Sequence, residues 1–69
     1  MICLTTPISS GYITHYVSAQ NIARITEAGT SSQWHGIRSI VRLHDGGLLE
    51  CNETVDEIYK AVDKEGMRQ

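Results

Sequence analysis

The stretch Ser39-Ile40-Val41-Arg42-Leu43-His44-Asp45-Gly46-Gly47-Leu48-Leu49-Glu50-Cys51-Asn52-Glu53-Thr54-Val55-Asp56-Glu57-Ile58 reads as a β-hairpin that runs into a helix. Residues from Ser39 to His44 alternate, with Val41 and Leu43 on one side and Ile40, Arg42 and His44 on the other. Asp45-Gly46-Gly47 is a turn signal, because a glycine after Asp takes the positive φ that a tight hairpin needs. A three-residue turn there sets Leu43 opposite Leu49 and Val41 opposite Cys51, with Arg42 facing Glu50 on the solvent side. A two-residue turn would place Val41 against Glu50, so the longer turn is preferred.

The helix announces its own start. Thr54 and Glu57 form a Thr-x-x-Glu capping box, and Val55, Ile58, Tyr59 and Val62 fall on one apolar stripe. Asp56 and Glu57 sit at the positive end of the helix dipole, Lys60 and Lys64 lie toward the negative end, and Gly66 is a natural stop. Asp56 and Lys60 are also spaced to pair along one face. A helix of about three turns is marginal by itself, so its stripe needs a sheet to pack on.

Toward the N-terminus, Ile2 to Thr5 reads as a short strand, Pro7 to Gly11 as a turn, and Tyr12 to Val17 as a second β-rich run. Ser18 to Asn21 makes a polar bend or one helical turn. Ile22 to Glu27 is read as a strand, although the Ile22/Ile25 spacing also fits a helical turn. Residues 28–38 are small and polar, an unusually long loop for so short a chain. The expected fold is α+β: a small curved antiparallel sheet, a meander of four or five strands, packed with one C-terminal helix. It forms a single domain over 1–69, with the sheet in 1–52, the loop at 28–38 and the helix at 54–65. The expected core is Ile2, Leu4, Ile13, Ile25, Val41, Leu43, Leu49, Val55, Ile58 and Val62.

Composition narrows the function classes. The chain has 69 residues, 41% of them hydrophobic, and a formal charge of -2 from six basic and eight acidic side chains. That length excludes a multidomain enzyme and leaves a small core, which favours homodimerisation. The basic residues Arg24, Arg38, Arg42, Lys60, Lys64 and Arg68 are scattered among acids, which argues against tight phosphate binding. The opening residues show no leader pattern and no apolar run reaches membrane-spanning length, so the expectation is a cytoplasmic protein with reduced thiols and no membrane partner.

Several segments carry a resemblance. Met1-Ile2-Cys3-Leu4-Thr5, Asn21-Ile22-Ala23-Arg24-Ile25-Thr26-Glu27, the hairpin and Glu53-Thr54-Val55-Asp56-Glu57-Ile58 together resemble the small FlbD-like proteins of the flagellar or swarming-motility type. The similarity covers most of the chain and rests on core, turn and cap positions. It departs from the family pattern in the longer loop from Gly29 to Arg38 and in Ser9-Ser10-Gly11, where the family has Asn-Gly. The resemblance implies a small non-catalytic protein-binding or regulatory module. The alternatives are a weak nucleic-acid-binding regulator using Arg24, Arg38 and Arg42, and a phage- or prophage-encoded accessory protein of the same architecture. The two ends also resemble those of CsrA-type RNA-binding regulators. Thr6-Pro7 and Glu50-Cys51-Asn52-Glu53 stand where those proteins carry the basic groups that hold RNA, which argues against that function.

No constellation points to catalysis, a cofactor or a metal. Cys3, Cys51, His15, His35 and His44 include no pair at ligand spacing, and they read as two buried thiols and three partly exposed imidazoles. No nucleophile, base and orienting group share a motif, so no enzyme is expected. The residues that stand out are Gln33, Trp34, His35 and Arg38 in the long loop. Trp34 is either an anchor for a protein partner or a lid folded over the sheet as satellite core. Tyr12, Tyr16 and Tyr59 are read as packing residues.

Overall fold

The computed structural model describes residues 1–66. Arg68, one of the scattered basic residues, lies outside them. Five strands and two helices follow in the order β1 (Ile2–Ile8), β2 (Gly11–Val17), a 3-10 turn (Ala19–Asn21), β3 (Ile22–Glu27), α1 (Thr30–Gln33), β4 (Ser39–Leu43), β5 (Leu48–Cys51) and α2 (Val55–Gly66). The fold is α+β and every strand pair is antiparallel.

The strands form two sheets rather than one. β1 and β2 make a two-stranded sheet, and β3, β4 and β5 make a three-stranded one. β1 lies beside β5, where the Asn52 N–H donates to the Thr5 carbonyl at 2.8 Å. Next to that bond Glu53 interrupts the ladder: its carboxylate takes the Thr5 N–H at 2.9 Å and the Thr5 hydroxyl at 2.7 Å. Side-chain bonds thus replace strand pairing at the seam.

Ile2, Leu4, Val17, Val41, Cys51 and Ile58 form the buried centre, with Ile22, Ile25, Leu43, Leu49, Ala61 and Val62 packed around it. Ile13 is not in this core. It shares a face with Ile2 and Leu4, but it pairs with Thr6 toward the hairpin tip and stays 46% exposed. Tyr12, Tyr16 and Tyr59 are exposed as well, against the packing roles expected of them. Tyr12 and Tyr16 lie on the strand face opposite Leu4, and Tyr59 lies at the flank of the helix stripe.

The β1–β2 turn is tighter than expected. β1 continues through Pro7 to Ile8, which pairs with Gly11 across Ser9-Ser10. Between β4 and β5 the turn has three residues, as expected, but it is His44-Asp45-Gly46, closed by the Leu43 N–H on the Gly47 carbonyl at 2.9 Å. Gly46 takes the left-handed position with φ +96°. The Asp45 carboxylate accepts the Gly47 N–H at 2.9 Å and is held on its other side by Asn21. Gly47 first and Asn21 second keep the Asp45 carboxyl below its ordinary range. Centring the turn on Asp45 shifts β5 by two positions along β4, so that Ser39 faces Cys51, Val41 faces Leu49 and Arg42 faces Leu48. A shift of two preserves which face each side chain occupies, so Val41 and Cys51 stay buried, while the expected Arg42–Glu50 pair is lost.

The capping box forms as read. The Thr54 N–H donates to the Glu57 carboxylate at 3.0 Å, and the Glu57 N–H donates to the Thr54 hydroxyl at 3.2 Å. Lys60 and Asp56 pair at 3.1 Å. No helix among the described residues is long and apolar enough to cross a membrane.

Candidate functional site

The segment between β3 and β4 is not a featureless loop. Thr30–Gln33 forms one helical turn, followed by a chain of backbone bonds from His35 and Ile37 to Ser32 and from Gly36 to Gln33. Buried Ala28 anchors the entry, donating to the Arg38 carbonyl at 3.1 Å, and Arg38 anchors the exit, donating to the Cys51 carbonyl at 2.8 Å. Asn52 reaches across to the Gly36 carbonyl at 2.8 Å. Gly36 adopts φ +83°, a conformation open to glycine, and lies against Pro7 of β1. The sequence shows the Gly and Ser that permit this turn, but the bonds that hold it come from residues far along the chain.

On this braced segment Trp34 projects into solvent at 85% exposure. The lid reading of Trp34 is therefore overturned. His35 beside it is also exposed. Gln33, though exposed, serves the fold, since its side-chain amide donates to the Ala28 carbonyl at 3.0 Å and ties the helical turn to the end of β3. Arg38 points elsewhere, into a cleft of about 290 Å³ that it shares with Glu27, Gln33, Thr54 and Val55. Its charge also reaches Glu57, whose carboxyl is held below its ordinary 4.5 first by the Thr54 N–H and next by the Thr54 hydroxyl.

That cleft opens into a larger apolar groove of about 630 Å³ between β3 and α2, floored by Ile22, Ile25, Val55 and Val62 and rimmed by Tyr59. Glu27, Thr54 and Val55 line both hollows. Gln33 in turn joins the cleft to the surface around Trp34. A continuous tract thus runs from Trp34 through Gln33 and Arg38 toward the groove, while exposed His35, next to Trp34 in the chain, lines none of its hollows. The groove itself was missed, because it depends on β3 and α2 lying side by side, and only the Ile22/Ile25 spacing hinted at it.

The other reactive groups stand apart. Cys51 is fully buried, and desolvation, with Glu53 second, pushes its thiol up to about 11. Cys3 is exposed rather than buried, on the face of β1 turned away from the core. His15 lies near Thr6 across the hairpin, its Nε2 at 3.1 Å from the hydroxyl. No group of three or more His, Cys, Asp or Glu side chains comes together among the described residues. Arg24 and Arg42 face each other across β3 and β4, while Arg38 lies away from them. No family model, curated protein or solved structure matches the chain.

Proposed function

We infer that the chain is a non-catalytic protein-binding module of the FlbD-like kind, which engages its partner through Trp34 and the tract running from it to the β3–α2 groove. One observation carries this reading: a small domain with little core leaves its only tryptophan 85% exposed on a segment braced at both ends. Burying that ring would help the isolated fold, so its presentation to solvent has a cost that a partner contact offsets. Trp34 supplies the anchor, His35 a polar neighbour, and the groove an apolar seat for the partner's side chains. The two free cysteines fit a reducing, cytoplasmic setting.

A second reading rests on Arg24 and Arg42. Like charges directly opposite on a sheet repel, and an anionic strand such as nucleic acid would relieve that repulsion.

One experiment separates the two. The tagged chain and its Trp34→Ala variant, both shown folded by circular dichroism, are used to capture partners from the native source. Loss of a captured protein by roughly tenfold or more in the variant supports the contact site, since hot-spot tryptophans carry that much affinity. Retention unaffected by Trp34→Ala, but abolished by salt and by Arg24→Ser with Arg42→Ser, supports the second reading and sinks the first.

A further inference from the structure

We propose that two copies of the chain join through the outer edges of β2, antiparallel about a two-fold axis at Thr14, making one continuous β1-β2-β2-β1 sheet. The hairpin register supplies the first observation. Ile8 pairs with Gly11 across a two-residue turn, and such a flanking pair exchanges both backbone hydrogen bonds. Alternation then turns the backbone groups of Ile13 and His15 toward β1, and those of Tyr12, Thr14 and Tyr16 toward the open edge. A separate contact gives the same parity. Thr5, opposite Thr14, spends its N–H on Glu53 and its carbonyl on Asn52, both on the far side of β1.

The second observation is that this edge is unguarded. Exposed edge strands normally carry charges, proline or a bulge that block pairing with another chain. β3, the other edge, has Arg24, Glu27 and a register irregularity between Ile22 and Arg24. β2 reads Gly-Tyr-Ile-Thr-His-Tyr-Val, with no Lys, Arg, Asp, Glu or Pro, and pairs with β1 in unbroken register. Its one extensive neighbour is β1.

The third observation selects a second copy as the occupant. Tyr12 and Tyr16 stand symmetrically about Thr14 and are 65% and 70% exposed. With Thr14 opposite its own copy, each Tyr12 falls opposite Tyr16 of the second copy, and each outward N–H meets an outward carbonyl. A perpendicular two-fold axis keeps identical residues on the same face, as a self-complementary contact requires. No like charges meet. The exposed parts of Tyr12, Tyr16 and Ile13 amount to roughly 350 Å² per copy, taking about 200 Å² for a whole aromatic side chain. A standard interface uses about 800 Å² per partner, so with the edge backbone added the dimer is a weak, concentration-dependent one. None of the residues lining the groove or the Trp34 cleft belongs to β2, so dimerisation leaves the proposed partner site open.

Sedimentation velocity of the full chain over a concentration series tests the interface. The expected mass rises from the 7.7 kDa monomer to twice that value. Thr14→Pro removes an N–H that β1 does not use, so the hairpin persists while dimerisation weakens by roughly tenfold or more. Two charge variants test the register. Tyr12→Lys with Tyr16→Lys abolishes the dimer, whereas Tyr12→Lys with Tyr16→Glu restores it, because each lysine then meets a glutamate across the axis. A wild-type chain that stays monomeric throughout overturns the proposal. A dimer indifferent to both charge variants does the same.

Discussion

Glu53 receives the N–H and the hydroxyl of Thr5 from 48 positions away, and its own carbonyl accepts the buried Ser39 hydroxyl at 2.7 Å. One residue therefore ties β1, β4 and the start of α2 together at the seam between the sheets. Hydrogen bonds to a carboxylate are the stronger kind, and removing this one leaves the Thr5 N–H and hydroxyl without their acceptor, while the Thr5 carbonyl keeps Asn52. Glu53→Ala is expected to destabilise the fold by about 2 kcal/mol, roughly 10 °C in Tm for a domain of this size. Glu53→Gln keeps one acceptor oxygen and loses less. Thermal melts of the two variants check this, and equal melting of wild type and Glu53→Ala would mean that the seam contributes no stability. Nothing local marks Glu53 in the sequence, where it reads as one more acid before a helix, because its partners are distant in the chain.

At the scale of elements, α2 was the most legible part. The signals that start it, Thr54 and Glu57, lie three residues apart and act on each other, so local reading suffices. The Glu57 carboxyl lies below its ordinary 4.5 in the folded chain, so its contribution is complete above that pH and fades as pH falls through the folded value. The Tm difference between wild type and Glu57→Gln should therefore be largest near neutrality and close toward pH 3, a range set by the carboxylate scale. A difference that widens on acidification would contradict the capping role. The β4–β5 hairpin was legible in its faces but not in its register. Asp-Gly-Gly offers two glycines for the left-handed position, and Asn21, on another element, holds Asp45 where Gly46 takes it. β2 forms as read, but the burial of its side chains does not follow: Ile and Tyr suit a buried strand by type, whereas Ile13 lies toward the hairpin tip and Tyr12 and Tyr16 lie on the face opposite Leu4.

For the molecule as a whole, five strands and one long helix suffice for a core of a few side chains, and the remaining apolar surface is gathered in a few places. Trp34 stands at one end of a tract that crosses a polar cleft to the apolar β3–α2 groove, and the two tyrosines of β2 mark an open sheet edge. Trp34 and its neighbours stood out in the sequence because a long polar loop with one large aromatic is unusual. Its exposure did not follow from composition, since the bonds from Asn52 and Cys51 that brace the segment away from the core are long-range. For Trp34 to anchor a partner, its ring must be displayed to solvent by a structured segment. As the only tryptophan, it reports on itself, so acrylamide quenching of its fluorescence in the native chain measures that display. A red emission is expected, quenched nearly as readily as in the same chain unfolded by denaturant. A blue-shifted emission, protected from quencher in the native chain alone, would contradict the display of Trp34 and the binding role built on it.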